Sequence, residues 1–496
     1  MKKVKFIMIL ALGIFVLNSC KEDFLETVPT DQVAASEAVA TTATAKSVVN
    51  GIHRSLYTRW NSIQGNCGIG GIYIHMDLLG EDQVVHREQW HNRVYKWTAG
   101  RSDTDFYAEF PWRSYYIIIA NANVLINGIA NAEGPDEEKN EILGQALVYR
   151  AWSHYQLVQT YGGRYVPGGG NSQLGVPYKK SELEEQLARN TVEEVYTEIN
   201  NDLDAAITAL EGLSRANKSH INQAVAKGVK ARVALTMGNW TTAIQMAQEA
   251  RADFSLMDQA TYALGFQSSS ESNPEFMWAS QVQSDQNDGF GTYGAYISRN
   301  FSSSAIRGNP RSINSTLYDM ISDTDVRKGL WDPTGEHLNL PSGKSLLDAH
   351  QRRPYTNQKF LASSNGDSSM DVPHMRAAEM YLIEAEAQAR NGNDGAAAQA
   401  LFDLVTTRDD AYTLSTNTGQ ALIDEIMIQR RIELWGEGFR FLDLKRLNLP
   451  LDRTGANHNA ALADNNLEIP AGDIRWEWLI PREELDANPN MVQNPQ

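Results

Sequence analysis

The sequence predicts a mainly α-helical protein that also carries a long irregular region, and three observations support this fold class. Apolar residues recur every three or four positions in several segments. Some of these segments are joined in pairs by a short turn that contains Gly. Between about residue 255 and residue 372 no helical period persists, and Ser, Asn, Gly and Asp cluster. A chain of 496 residues is long enough to bury a sizeable core.

The first long periodic segment covers residues 137–161. A helix is predicted there because apolar side chains recur three or four positions apart at Leu143, Leu147, Ala151, Tyr155 and Val158. Gly162 and Gly163 end this helix. Thr191, followed three residues later by Glu194, forms a capping box that opens the next helix.

Two further segments follow a helix–turn–helix pattern, residues 229–247 with a turn at Gly238 and residues 383–404 with a turn at Gly392. Small residues at contact positions between two amphipathic helices are typical of tetratricopeptide-like hairpins. The full repeat consensus is absent and the units are unevenly spaced, so a plain helical bundle remains the alternative.

The N-terminus has the features of an export signal. Three lysines precede an apolar run at residues 6–17, which is too short to span a membrane comfortably. Leu17-Asn18-Ser19-Cys20 then resembles a bacterial lipobox, in which cleavage precedes a cysteine whose thiol is acylated. We therefore expect a lipoprotein signal peptide at residues 1–19 and a lipid on Cys20.

After the signal we expect a lipidated tether at residues 20–34 and a single domain at residues 35–496. No second apolar stretch reaches 18 residues, so the protein is predicted to be anchored and not to span the membrane. The formal charge of −17 disfavours a nucleic-acid partner, because phosphate binding requires a basic surface. Acylation of Cys20 would leave Cys67 without an intrachain disulfide partner.

Motifs of common catalytic and metal sites are missing from the sequence. No phosphate-cradling GxxxxGKS loop and no GxSxG elbow occurs. His86 and His91 are five residues apart, a spacing that does not place two imidazoles on one helical face. The sequence therefore predicts no cofactor, no metal and no catalytic residue, although two carboxylates of a glycosidase could lie anywhere among 61 acids.

Aromatic residues with polar neighbours suggest where a ligand binds. Trp90 and Trp97 lie among Arg, His, Asn and Gln side chains, including Arg93. A flat ring beside hydrogen-bond donors suits a sugar, which has C–H groups on its face and hydroxyls at its edge. Ordinary packing in the core is the alternative for each ring. The predicted ligand-binding residues are Trp90, Trp97, Tyr73, Arg93, Tyr293 and Tyr296.

A long pattern in the C-terminal region is specific to one family. It has the spacing Arg430-Arg431-x-Glu433-Leu434-x-x-Glu437-Gly438-x-Arg440-x-x-Asp443-Leu444-x-Arg446. Shorter matches lie at residues 112–121, 161–163 and 375–385 and at the lipobox. The chain resembles the RagB/SusD family, the surface nutrient-binding lipoproteins of Bacteroidota. Because the charged residues of the pattern lie three or four apart, we expect an ion-pair lattice and not chemistry.

The resemblance implies a SusD-like fold of four tetratricopeptide-like hairpins with an irregular, loop-rich ligand-binding region. The helical scaffold would lie mainly at residues 115–254 and 373–446, and the ligand side mainly at residues 60–112 and 255–372. Such proteins sit on the cell surface at the outer membrane, on a SusC-like TonB-dependent transporter. They capture an oligosaccharide or polysaccharide and pass it on without breaking bonds. The alternatives are a peptide-binding member and, less favoured, a surface glycoside hydrolase.

Overall fold

The computed structural model describes residues 35–267 and 270–496. The predicted signal peptide, the lipidation site Cys20 and the tether lie outside the described residues. Helices account for 48% of the structure and strands for 7%, which confirms the mainly α class. Within the described residues, no helix combines the length and the apolar character that crossing a membrane requires.

The α-helices of the described residues are, in chain order, α1 (Ala35–Ala38), α2 (Thr42–Ser55), α3 (Gly68–Leu78), α4 (Asn92–Tyr95), α5 (Phe106–Gly128), α6 (Asp136–Tyr161), α7 (Val192–Ala209), α8 (Gln223–Met237), α9 (Trp240–Arg251), α10 (Gln259–Ala263), α11 (Gly294–Ile297), α12 (Ser304–Gly308), α13 (Ser315–Asp319), α14 (Ala377–Arg390), α15 (Asp394–Val405), α16 (Gly419–Glu433), α17 (Arg440–Leu447) and α18 (Arg482–Ala487). The strands are β1 (Gln83–Val84), β2 (Phe276–Ser280), β3 (Ser312–Ile313), β4 (Trp331–Asp332), β5 (Thr356–Asn357), β6 (Val372–Arg376), β7 (Leu451–Asp452) and β8 (Glu468–Ile469).

The long helices pack as consecutive pairs and form the scaffold. Helix α5 packs against α6, α6 against α7, α8 against α9, and α14 against α15. Gly238 and Gly392, at φ of 72° and 79°, make the left-handed turns of the last two pairs, as the sequence predicts. At the start of α7 the Thr191 hydroxyl accepts a bond from the Glu194 N–H and the Glu194 carboxylate accepts one from the Thr191 N–H, so the capping box is confirmed.

Helix α5 begins nine residues before position 115, where the scaffold was expected to start. It begins at Phe106, because the Asp105 side chain caps it by accepting a bond from the Tyr107 N–H at 2.8 Å. Pro111 lies inside the helix. Beside it, the Tyr161 hydroxyl accepts a bond from the Trp112 N–H at 3.1 Å and donates to the Ala108 carbonyl. The end of α6 thus holds the first turns of α5 in place.

The region between α9 and α14 consists of loops, short helices and small sheets, as predicted. Strands β1, β3, β5 and β4 form one antiparallel sheet in that order, and β2 pairs with β6 in another. All residues of β2 and β6 are buried. Because α14 begins directly after β6, this second sheet fixes the irregular region to the scaffold.

The C-terminal pattern is buried and forms the expected ion-pair lattice, but most of its partners lie outside the pattern. Arg431 pairs with Asp82 at 2.5 Å, and Arg440 pairs with Glu81. Helix α17 contributes Arg446, which reaches Glu386 of α14 at 2.6 Å. The spacing predicted bridges along or between helices, such as those of Arg430 and Arg446 to Asp443, and the structure also uses the motif to join distant segments.

Eight groups of this lattice form a closed set, which we call the buried ion-pair cluster. Its members, all 0–4% exposed at the side chain, are Glu275, Asp325, Arg327, Lys359, Arg376, Arg408, Glu433 and Glu437. Four cations thus meet four anions, so the cluster is neutral. Burial raises the pKa of Glu433, but the guanidinium groups of Arg408, Arg376 and Arg327 outweigh it and hold that pKa well below 4.5.

Candidate ligand-binding surface

The segment that leads to Trp90 is fixed by the irregular region. Strand β1 pairs with β3, so that Val84 lies opposite Ser312. After β1, the side-chain oxygen of Asn309 accepts bonds from the N–H groups of His86 and Arg87 at 2.7 and 3.1 Å. His86 Nε2 lies 2.6 Å from the Ser312 hydroxyl. Trp90 therefore follows a stretch of chain whose backbone and side chains are both held by hydrogen bonds to the irregular region.

His91 anchors the chain directly after Trp90. Its imidazole is buried, and its Nδ1 lies 3.0 Å from Nε2 of His75. Its backbone N–H donates to the Tyr107 hydroxyl at 2.9 Å, and its φ of 69° places the backbone in the left-handed region. Burial, together with His75 and Arg311, lowers the pKa of His91, so the ring is neutral at physiological pH.

Trp90 is only partly buried. Tyr296 packs edge-on against it with ring centroids 6.4 Å apart. Gly65 lies beneath the ring, and a Cβ at that position would approach the indole to 2.9 Å. The ring is thus supported from below and from the side, and the structure keeps it as a candidate platform for a sugar.

Trp97 belongs to the core, which corrects its prediction as a ligand platform. Its side chain is 3% exposed, and its Nε1–H donates to the Leu79 carbonyl at 3.1 Å. Trp476 and Phe441 cover the ring at centroid distances of 4.7 and 5.7 Å. The polar residues next to Trp97 in sequence point elsewhere, because the chain around it is a short helix and turn.

The three predicted tyrosines are buried as well, and their placement on a ligand-accessible surface is corrected. The Tyr73 hydroxyl lies 2.8 Å from Nδ1 of His374, and the Tyr293 hydroxyl donates to the Gly436 carbonyl at 2.8 Å. Tyr296 is 3% exposed and supports Trp90. These residues hold the irregular region on the scaffold, since each hydroxyl or ring finds its partner inside the protein.

Arg93 is exposed at the surface three residues after Trp90. Its guanidinium forms an ion pair with Asp105 at 2.6 Å. Because Asp105 also caps α5, Arg93 connects the Trp90 segment to the scaffold. A sugar at Trp90 could still accept a hydrogen bond from the exposed side of this guanidinium.

Two further aromatic residues at this surface were missed as site residues by the sequence reasoning. Trp60 is half-buried and packs on Phe110, and Phe290 is 51% exposed. Their loops touch, because Arg59 pairs with Asp288 at 3.0 Å. The available signal was local: Trp60 lies between Arg59 and Asn61, and Phe290 lies between two glycines.

The carboxylates at this surface are engaged in ion pairs. Asp105 pairs with Arg93, Asp288 with Arg59, and Glu88 with Lys96 at 2.5 Å. Burial raises the pKa of Asp105, but its carboxylate is committed to Arg93 and to the cap of α5. The arrangement therefore suits the binding of a polar ligand.

A scaffold of helical hairpins that presents a loop-borne aromatic surface defines a helical ligand-binding protein. Comparison with known families identifies which one. Residues 29–235 match a SusD-like family model described as starch-binding and associating with the outer membrane, and residues 339–496 match the model of the SusD family. The chain belongs to the SusD/RagB family. This family binds carbohydrate and is associated with the outer membrane.

Individual relatives cover nearly the whole chain. SusD-like protein P2 of Formosa agariphila is 26% identical over 100% of this chain and 99% of its own. A SusD-like carbohydrate binding protein from Bacteroides vulgatus has a similar structure, with a TM-score of 0.79, 26% identity and coverage of 91% and 98% of the two chains. A laminarin binding SusD-like protein shares the fold with a TM-score of 0.69, 18% identity and coverage of 92% and 99%.

Proposed function

We propose that this protein is a cell-surface lipoprotein that captures an oligosaccharide or polysaccharide at the surface around Trp90. The observation that carries this proposal is the partial exposure of the Trp90 ring, which Tyr296 and Gly65 hold in place. An aromatic face of this kind stacks on the apolar face of a sugar ring. The carbohydrate-binding relatives of similar structure support the same ligand class.

Capture occurs without bond cleavage in this proposal. The carboxylates Asp105, Asp288 and Glu88 at this surface each form an ion pair with Arg or Lys. A glycosidase instead needs one carboxyl group with a raised pKa facing a second carboxylate across the bond. Incubation with bound polysaccharide, followed by reducing-end analysis, is expected to detect no product.

The bound glycan is passed to a SusC-like TonB-dependent transporter, with the protein held at the outer membrane by a lipid on Cys20. Family membership and the lipobox at residues 17–20 support this part of the proposal. Extraction of the native lipoprotein in mild detergent and pull-down is expected to recover a large barrel protein. Recovery of the lipoprotein alone, under conditions that preserve other such pairs, would contradict it.

The binding site is tested by truncating Trp90 to Ala. Loss of one stacking face is expected to weaken glycan binding by about 1–3 kcal/mol, or roughly tenfold to a hundredfold, with little change in stability. Trp240→Ala is the matched control, because Trp240 is also half-buried but lies on helix α9 of the scaffold. Binding of a polysaccharide panel should fall for Trp90→Ala only. Equal binding by the parent and both variants would contradict the assignment.

A further inference from the structure

Beside Trp90 lies a group of arginines that we call the arginine face, consisting of Arg87, Arg299, Arg307, Arg311 and Arg353. Within residues 35–267 and 270–496, none of these five forms an ion pair. The arginines of the buried ion-pair cluster, in contrast, each contact at least two carboxylates. Unpaired cations are conspicuous on a chain whose formal charge is −17.

Backbone and side-chain contacts place the five arginines together. A Cβ at Gly308 would lie 3.4 Å from the Arg87 guanidinium, and Gly308 follows Arg307 directly. The Arg307 carbonyl accepts a bond from the Gln351 N–H at 2.9 Å. The Gln351 side chain in turn accepts two bonds from the Arg353 guanidinium, at 3.0 and 2.7 Å.

The two remaining arginines lie underneath and are buried. Arg299 donates from Nη2 to the Gln351 carbonyl at 3.0 Å and from Nε to His337 at 3.0 Å. Arg311 is 3% exposed, and its Nε and Nη1 have no hydrogen-bond partner in the described part of the chain. Burial lowers the pKa of Arg299 to about 9 and that of Arg311 to about 10.

No nearby acid of the described residues forms an ion pair with these arginines, and only Asp332 lies close enough to Arg299 to oppose the lowering of its pKa. Glu336 is engaged by Arg352 at 3.6 Å. Asp348, the acid closest in sequence to Arg353, is exposed, and no ion pair joins it to any cation of the described residues. Burying a guanidinium without a counter-ion costs free energy, and the binding of an anion nearby reduces this cost.

We propose that the glycan captured at Trp90 is anionic and that its carboxylate or sulfate groups bind the exposed guanidinium groups of Arg87 and Arg353, with Arg307 between them. This inference rests on the proposed function. Gln89 connects the two parts of the site, since it precedes Trp90 and donates to the Ser304 carbonyl of α12 at 3.0 Å. The sugar ring stacks on Trp90 while its charged substituent lies on the arginine face.

The chemistry of the side chains favours this ligand class. A guanidinium presents a planar fork of donors that matches two oxygens of a carboxylate or a sulfate. Arg299 and Arg311 raise the local potential from a layer where water screens charge poorly. A neutral glycan would gain nothing from this positive potential, whereas an anionic one would be attracted to a surface on an otherwise acidic protein.

The test compares three polysaccharides on the mature protein: polygalacturonate for carboxylates, ι-carrageenan for sulfates, and laminarin as the neutral reference. The variants are Arg87→Gln and Arg353→Gln, both at exposed positions, singly and combined. Lys180→Gln is the charge-matched control, since Lys180 is 52% exposed at the side chain and pairs with Glu198 on the scaffold. Melting curves check that each variant is folded.

We expect one of the two anionic polysaccharides to bind at least tenfold more tightly than laminarin. Each arginine variant should weaken that binding about tenfold, and a rise in NaCl from about 0.05 M to about 0.5 M should weaken it further, because exposed charge contacts are screened. The polysaccharide that binds identifies the carboxylate or the sulfate as the recognised group.

Three results would overturn the inference and are distinguishable from one another. The first is that laminarin binds as tightly as the anionic polysaccharides or more tightly, and that both arginine variants leave this affinity unchanged. This result would refute the anionic ligand but would leave the proposed capture of a glycan intact. Failure of the protein to bind any of the three polysaccharides would refute the arginine face as a glycan site. The same conclusion would follow if Lys180→Gln weakened the binding of the anionic polysaccharides as much as Arg87→Gln does. Loss of all polysaccharide binding would also count against the proposed function.

Discussion

Replacing Glu433 by Gln is expected to destabilise the protein by about 3–5 kcal/mol, the range for breaking a buried ion pair. The carboxylate of Glu433 contacts Arg327, Arg376 and Arg408 at 3.2, 2.9 and 3.2 Å, and these side chains are 0% exposed. Gln keeps the shape but removes one negative charge, so the buried ion-pair cluster changes from neutral to a net charge of +1. The excess charge would lie among side chains that are 0–4% exposed, away from bulk solvent.

The free energy of unfolding from urea titration measures this effect. Asp424→Asn is the matched control, because Asp424 is exposed on the same helix α16 and should change stability by at most about 0.5 kcal/mol. The double variant Glu433→Gln/Arg408→Gln restores neutrality and should show a favourable coupling of about 1–3 kcal/mol. A loss below about 1 kcal/mol for Glu433→Gln, or no coupling in the double variant, would refute the role of charge balance.

The pH dependence gives a second reading of the same cluster. The pKa of Glu433 is held well below 4.5 in the folded protein, so its contribution to stability is present above about pH 4.5 and is lost as the pH falls towards the folded value. Glu433→Gln lacks this contribution. The difference in unfolding free energy between parent and variant is therefore expected to shrink on acidification below about pH 4.5.

Four further outcomes are expected. Trp97→Ala should lower the free energy of unfolding by about 3–5 kcal/mol, because the ring is 3% exposed, and near-normal melting would contradict its core placement. Burial lowers the pKa of His154 and His374 to about 3, so each imidazole stays neutral in the folded protein, whereas in the unfolded chain it is protonated below pH 6.5. The free energy of unfolding should therefore fall by about 1.4 kcal/mol per pH unit for each ring between pH 6.5 and 4. A flat pH profile would contradict the burial of these rings as neutral groups. Tyr161→Phe, which removes the hydroxyl that joins the Trp112 N–H to the Ala108 carbonyl, should cost about 1–3 kcal/mol by the same titration, and an unchanged value would contradict the bridge. Cys20→Ala should release the protein from the membrane fraction, and unchanged fractionation and processing would refute the lipid anchor.

The sequence patterns located the helices well because a helix that packs on one face leaves a local signal. The apolar period of residues 137–161 matches α6 (Asp136–Tyr161), and the capping box at Thr191 marks the first residue of α7. The scaffold was expected to start at residue 115, whereas α5 begins at Phe106, because its aromatic first turns interrupt the period and Pro111 lies within them. Boundaries of this kind depend on caps and packing partners.

The candidate site was located only in part. Trp90 and Trp97 both have polar neighbours in sequence, yet Trp90 is half-buried at the surface and Trp97 is covered by Trp476 and Phe441. Local composition cannot separate the two, because the residues that cover Trp97 come from segments more than 340 positions away. The same limit applies to Tyr73 and Tyr293, whose hydroxyl partners lie 301 and 143 positions away in sequence.

The sequence by itself determined the helical class, the hairpin turns at Gly238 and Gly392, and the family, because each depends on spacing along a continuous stretch of chain. Only the tertiary structure decided which aromatic rings face solvent and which charges are balanced. Asp325 lies two residues from Arg327 in the sequence, but only the fold brings Glu433 to Arg327 and leaves Arg311 without a carboxylate. The reason is physical: burial and charge compensation depend on neighbours across space, and those are set by how distant segments pack.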